Sequence, residues 1–157
     1  MPIYFYSTKD AYGEFSNFTA APIVLKGKTW PTVEHYFQAQ KFAGTEHEEA
    51  MRTTASPMVV ARMGRSRNRP LRADWETVKD DIMREAVRAK FEQHAAFCQL
   101  LLETGDETLV EKTSGDHYWG CGDSGRGKNM LGIILMEVRT KLREQRGSSE
   151  TLTADQA

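Results

Sequence analysis

Cysteine is scarce. Cys98 and Cys121 are the only two in 157 residues, and no Cys-x-x-Cys pair is present. Neither a disulfide framework nor a zinc site is supported by that count, because each needs several thiols at defined spacing. Long apolar runs are missing too: nothing approaches the roughly 20 residues that span a bilayer. The opening Met1-Pro2-Ile3-Tyr4-Phe5 lacks the basic flank of a secretory leader, so a cytoplasmic protein with no membrane partner is expected. Nor is there an excess of one charge, since 21 Lys+Arg against 22 Asp+Glu leave a formal −1. Bulk attraction to nucleic acid or anionic lipid is thereby excluded, and any such contact must be local.

What remains is ordinary globular composition, 39% hydrophobic and 27% charged, in a length that suits one domain with its own core. Ile3 to Ser7 is β-branched and aromatic and reads as a strand. Ile23-Val24-Leu25 and Lys28-Thr29-Trp30, joined by Lys26-Gly27, read as a hairpin. Thr32 is a plausible N-cap for a helix that Gly44 stops. Thr45-Glu46-His47-Glu48 has the form of a capping box, and Ser56-Pro57 opens a third helix closed by Gly64. Asp74 is placed to cap a long amphipathic helix in which Val78, Ile82, Ala86 and Ala89 recur at helical spacing. A further helix covers about Gln93 to Glu103, Leu109-Val110 can supply a strand, and Met130 to Arg143 reads as a central helix. The expected fold is α+β: one mostly helical domain over residues 1–146 with a small antiparallel sheet, then a disordered tail at 147–157.

Four features carry chemistry. In the helix after Thr32, about 100° per residue puts Glu34, Gln38 and Lys41 on one stripe, with Phe37 and Phe42 beside it. Polar groups bordered by rings fit a pocket wall, although a solvated stripe beside core phenylalanines has the same pattern. His35 points elsewhere and reads as structural. Gly115-Asp116-His117-Tyr118-Trp119-Gly120 runs into a loop with four glycines over residues 120–128 and then Asn129. Such a loop can offer backbone N–H groups to an anion, or be a simple surface turn. His117 has no companions at metal-ligand spacing, so no metal is expected. Arg62, Arg65, Arg67, Arg69 and Arg72, followed by Trp75, suit phosphate oxygens and a stacked base, or form a solvated basic loop. Phe15-Ser16-Asn17-Phe18 is a turn whose polar side chains can bond a ligand hydroxyl or cap a helix.

The ordered set Tyr4-Phe5-Tyr6, Phe15-Ser16-Asn17-Phe18, Trp30 through Phe42, Trp75, and Asp116-His117-Tyr118-Trp119-Gly120 through Gly127-Lys128-Asn129-Met130-Leu131-Gly132 resembles the NADAR superfamily. Within it, the likeness to the bacterial YbiA-like N-glycosidases extends from about Ile3 to Leu142. The resemblance implies an α+β fold and hydrolysis of the bond between ribose C1 and an exocyclic amine nitrogen. For YbiA-like members the implied substrates are phosphoribosylamino-pyrimidine intermediates of riboflavin synthesis. Other members, similar in sequence, remove ADP-ribose from the guanine amino group of nucleic acid. A non-catalytic module binding ADP-ribose or NAD is a third reading. Glu34, Lys41, Asp116, Trp119 and Asn129 stand at positions that match the family's functional motifs. Cys121 departs from it, since relatives often carry an acidic residue there.

Breaking a glycosidic C–N bond builds positive charge on the sugar and negative charge on the departing nitrogen, which calls for a carboxylate near C1 and a proton donor near nitrogen. Glu34 and Asp116 are the natural pair. Lys41 offers a second route, adding to the opened sugar as a Schiff base, and is the favoured nucleophile. Trp119 and Phe18 are expected to wall the sugar and base, and Asn17 and Asn129 to hold ribose hydroxyls. Ser16, Gln38, Trp75 and Gly120 are expected to line the substrate, with the phosphate received by Arg65 and Arg67 or by the glycine loop. No cofactor is expected. The expected partner is a small phosphorylated ribosylamine, or ADP-ribosylated nucleic acid under the second reading.

Overall fold

The computed structural model describes residues 1–156, with side chains described through residue 148. Residue 157 and the side chains from 149 onward lie outside the described residues; the backbone of 147–156, read from the sequence as a tail, continues the last helix beyond its expected end at Arg143. Four short strands and six α-helices follow in the order β1 (Ile3–Phe5), β2 (Ile23–Leu25), β3 (Lys28–Trp30), α1 (Val33–Gln40), α2 (Glu46–Arg52), α3 (Pro57–Arg65), α4 (Trp75–Gln93), α5 (Ala95–Glu103), β4 (Leu109–Glu111) and α6 (Met130–Gln156). The α+β class and the largely helical content are as the sequence implies.

Local signals act where they are expected. The hairpin β2–β3 turns on Lys26 (φ 57°) and Gly27 (φ 70°), the left-handed pair that a two-residue type I′ turn demands. Thr32 caps α1, its hydroxyl accepting from the His35 N–H at 3.1 Å, and Ser56 caps α3 through the Val59 N–H at 3.4 Å. Two caps differ from expectation. Asp74 makes no cap bond to α4, because its carboxylate is held by Arg72 at 2.6 Å. Glu48 does not close a capping box; it accepts from the Gln40 amide at 2.8 Å instead. Helix α1 also ends four residues before Gly44, in a turn over residues 41–44.

The second sheet is a parallel pair: β1 lies beside β4, with Ile3 opposite Leu109 and Phe5 opposite Glu111. This pairing adds to the antiparallel hairpin the sequence suggested, and it joins the start of the chain to the segment that leads into α6. Helix α1 is the hub. It packs against α2, α3, α4 and β3, while α6 covers α4, α5 and β4. Every one of α1's eight residues is buried. The aromatic core runs from Phe5 through Phe15 to Phe91, with ring centroids 5.7 and 5.9 Å apart, and Trp30 packs edge-on to Tyr36 at 5.1 Å.

Close approach of α6 to β4 depends on Gly132, where an added Cβ would overlap the Leu109 carbonyl oxygen and the Asn129 side chain. Backbone cannot yield as a flexible side chain does. Gly132→Ala is therefore expected to lower stability by about 1–3 kcal/mol. A lower urea midpoint at unchanged m-value would show it, and an unchanged midpoint would contradict the packing.

Candidate active site

A cavity of about 870 Å³ opens among α1, α3, the start of α4, the Ser16–Phe18 turn and the β4–α6 connection. That volume is within the usual range for a small-molecule site. Glu34, Gln38 and Lys41 line one wall, spaced along a helix that has no solvent-facing side. The stripe is thus a pocket wall. Gln38 donates to Glu34 Oε1 at 2.8 Å, and Lys41 donates to the Gly64 carbonyl at 3.3 Å. Gly64 permits this proximity: a Cβ there would collide with the Gln38 amide.

Burial pushes the Glu34 carboxyl above its ordinary range, with Asp116 adding to the rise while the Gln38 amide, Lys41 and Arg65 oppose it. Burial likewise brings Lys41 down to about 8, helped by Arg67 and Arg65 and resisted by Glu34. The Lys41 ammonium sits 5.9 Å from the Phe37 ring centre and 5.7 Å from that of Trp75. The free amine is therefore reached at a far lower pH than in an ordinary lysine. A nucleophilic amine is available near neutral pH.

Asp116 faces the same cavity, and its Oδ1 accepts from the Tyr118 and Trp119 N–H groups at 3.0 and 2.9 Å. This turn sets Trp119 on the wall, edge-on to Phe37 at 5.2 Å, with Trp75 on Phe37 at 5.1 Å. The Ser16–Phe18 turn completes the opposite side. Its backbone docks the helix, as Asn17 O accepts from the Glu34 N–H at 3.2 Å, and Ser16 Oγ accepts from the Phe18 N–H at 3.1 Å. The Asn17 amide donates to Met83 Sδ at 3.5 Å. Beneath lies Lys90, fully buried, donating to Ser16 O at 2.9 Å and brought down to about 7 by burial. Arg65 is the member of the arginine-rich segment that reaches the cavity wall.

Arg67, Gly120 and Asn129 are not on that wall. Arg67 lies behind Lys41, donating to the same Gly64 carbonyl at 3.0 Å. Gly120 leaves room for the Thr113 side chain. Asn129, in the left-handed region at φ 53°, ties the loop to β4: its Oδ1 accepts from Glu111 N at 2.9 Å and its Nδ2 donates to Leu109 O at 2.9 Å. The glycine loop closes on itself, with Gly127 N on Cys121 O and Asn129 N on Gly120 O, so these N–H groups are committed and the loop supplies no residue to the cavity. His35 is buried away from the cavity between Thr32 Oγ1 and Thr54 O. Among the described residues no group of three His, Cys, Asp or Glu side chains is placed to hold a metal.

Two charged cavity residues escaped the sequence reading. Lys79 lies one turn after Trp75 on α4, with its ammonium 4.0 Å from the Tyr118 ring centre and 2.6 Å from Glu76. The i, i+4 relation to Trp75 was the available signal. Glu111 ends β4 and shares the face of the fully buried Leu109, as strand alternation requires. Burial, with Asp116 and Glu34 nearby, pushes its carboxyl up to about 8.

This fold and this set of side chains belong with a known group: residues 4–143 match the NADAR domain model, and the chain is a member of the NADAR family. Among its relatives, N-glycosidase YbiA of Escherichia coli is 60% identical over 140 residues, spanning 89% of this chain and 88% of that protein. An N-glycosidase of Nostoc punctiforme is 47% identical over 146 residues, spanning 91% and 94%. A riboflavin biosynthesis protein of Vibrio vulnificus is 39% identical over 143 residues, which cover 91% of this chain and 39% of that longer protein. The NMR structure of E. coli YbiA superimposes with a TM-score of 0.85 at 58% identity, covering 92% of this chain and 86% of that one.

A lysine whose charged form is disfavoured by burial costs stability. Below pH 8 the folded state must carry the buried ammonium. Between about 8 and 10.5 it binds fewer protons than the unfolded chain, so this group makes stability rise with pH across that window. Lys41→Met is expected to be more stable than the parent by about 2 kcal/mol at pH 7, with the gain shrinking toward pH 10.5. Paired urea titrations across that range test this, and a pH-independent difference would refute the buried-amine assignment.

Proposed function

We propose that this chain hydrolyses the bond between ribose C1 and the exocyclic amine nitrogen of the phosphoribosylamino-pyrimidines that open riboflavin synthesis. The coarser statement is firm: the chain is an N-glycosyl hydrolase, as its family membership and high identity to N-glycosidases establish. The riboflavin context is supported by the relatives from Vibrio vulnificus and Zea mays that are named for that biosynthesis. The observation that carries the chemistry is the convergence of Glu34, Lys41 and Asp116 on one aromatic-walled cavity.

Lys41 is the nucleophile in this reading. The ribosylamine ring opens to an imine at C1, and the free amine of Lys41 adds there. A proton passes to the original nitrogen, the C1–N electron pair leaves with it as the free pyrimidine amine, and C1 remains joined to Lys41 as an iminium. A carboxylate takes a proton from water as the water adds to C1. Collapse of that adduct returns the Lys41 amine and frees the sugar aldehyde, which closes to ribose phosphate. Water is consumed once, and Lys41 ends as it began. Phe18 and Trp119 wall the sugar and base, and Ser16, Asn17 and Gln38 offer polar atoms to the ribose. The phosphate falls to Arg65 and Lys79, the cationic side chains on the cavity besides Lys41.

An assay of the purified protein against phosphoribosylamino-pyrimidine and an ADP-ribosylated guanine oligonucleotide, read by HPLC, decides the substrate class. The pyrimidine is expected to turn over faster, and faster release from the oligonucleotide would reverse the assignment. Binding of ADP-ribose with no amine released from either would mark a non-catalytic module. Borohydride added during turnover is expected to leave a sugar adduct on Lys41 by mass spectrometry and to abolish activity. If no adduct forms and Lys41→Ala keeps its rate, the lysine route is wrong and the carboxylate pair Glu34 and Asp116 remains.

A further inference from the structure

The reaction needs a proton at the departing nitrogen, and three carboxyl groups line the cavity. Their surroundings differ. Glu34 has its Oε1 held by the Gln38 amide and lies within the field of Lys41 and Arg65. Asp116 has its Oδ1 committed to two backbone N–H groups. Glu111 has neither kind of partner: among the described residues no side-chain hydrogen bond or ion pair reaches its carboxyl, although its backbone is pinned by Asn129 Oδ1 and by the Cys121 N–H at 2.9 Å each. We propose that Glu111 is the general acid of the site, carrying the proton that is delivered to the leaving exocyclic nitrogen.

Strand geometry supports the assignment. Alternation along β4 turns Glu111 inward with Leu109, and its neighbour Lys112 goes the other way, to a position 5.8 Å from the Tyr4 ring centre. Lys112 therefore does not neutralise it. The charged groups that face Glu111 are Asp116 from the β4–α6 connection and Glu34 from α1, both acidic. The adjoining β1 strand presents Phe5, opposite in register, and the residue just before α6 presents the uncharged Asn129 amide. A half-buried carboxyl with two acidic neighbours and no cation holds its proton well above the ordinary range, here up to about 8. The bookkeeping closes: Glu111 gives its proton as the C1–N pair departs onto nitrogen, and the water that later attacks C1 returns one to it.

This role rests on the N-glycosidase reading, and its test is designed to separate the two. Glu111→Gln preserves size and folding but cannot donate an acidic proton. It is expected to lose about 100-fold or more in kcat and the fall in rate above pH 8, with Glu111→Asp restoring part of both. The defect is expected to shrink with a ribosylamine whose electron-poor aryl amine leaves without protonation, a change that a merely structural role would not produce. An E111Q variant with the parental rate and pH profile, or an equal defect on both leaving groups, overturns the proposal while leaving the N-glycosidase reading intact. Carboxyl titration by NMR in 13C-labelled protein needs no substrate. A resonance titrating near 8 and absent from E111Q is expected, and a resonance for Glu111 in the ordinary carboxylate range overturns the assignment even if the substrate has been misidentified.

Discussion

The enclosure of α1 is the constraint on which the rest depends. A helix surrounded by α2, α3, α4 and β3 has no exposed residue along its length, yet half of its eight residues are polar: Glu34, His35, Gln38 and Gln40. Each buried polar group then needs a partner inside the protein. His35 finds Thr32 and Thr54, Gln40 finds Lys26 and Glu48, and the Tyr36 hydroxyl finds Glu85. Glu34, Gln38 and Lys41 partly satisfy one another and the Gly64 carbonyl, and they open on the cavity. A substrate therefore meets groups already stripped of bulk solvent, which is the condition for perturbed protonation and for strong electrostatics.

The two lysines brought low by burial show how the same physics serves different ends. Lys90 is sealed beneath Ser16, bonded to its carbonyl and flanked by the Phe91 and Phe97 rings at 5.4 and 5.8 Å, so it shapes the turn that forms one wall. Lys41 is held between rings as well, but at the cavity, where a free amine can act. Burial without access gives structure, and burial with access gives reactivity. Both sites sacrifice stability to hold an amine in a dry place, as functional sites commonly do.

The β4–α6 connection is a buttress rather than a flap. Its carbonyls receive the first N–H groups of α6, Met130 N on Tyr118 O and Leu131 N on Trp119 O, while Asn129 clamps the edge of β4 that faces away from β1. Asp116, Trp119 and Glu111 are thereby fixed relative to α6 and, through α4, to α1. A position that matches a family motif can lie off the cavity wall. Asn129, which stands at one such position, holds the strand that carries Glu111.

Reading the chain alone recovered the hairpin, the caps of α1 and α3, the arrangement of helices, and the stripe of Glu34, Gln38 and Lys41. Each of these is encoded in residues a few positions apart: a left-handed turn pair, a hydroxyl and an amide three residues on, a period of 3.6. Tertiary structure decided what depends on distant partners. The parallel pairing of Ile3 with Leu109, the approach of α3 to α1 at Gly64, the diversion of Asp74 from its cap, and the acidic company of Glu111 arise only when separate elements dock. Sequence determined which groups were available and along which faces they lay. Docking determined which of them lost their water, because desolvation is a property of everything packed around a group and no local pattern contains it.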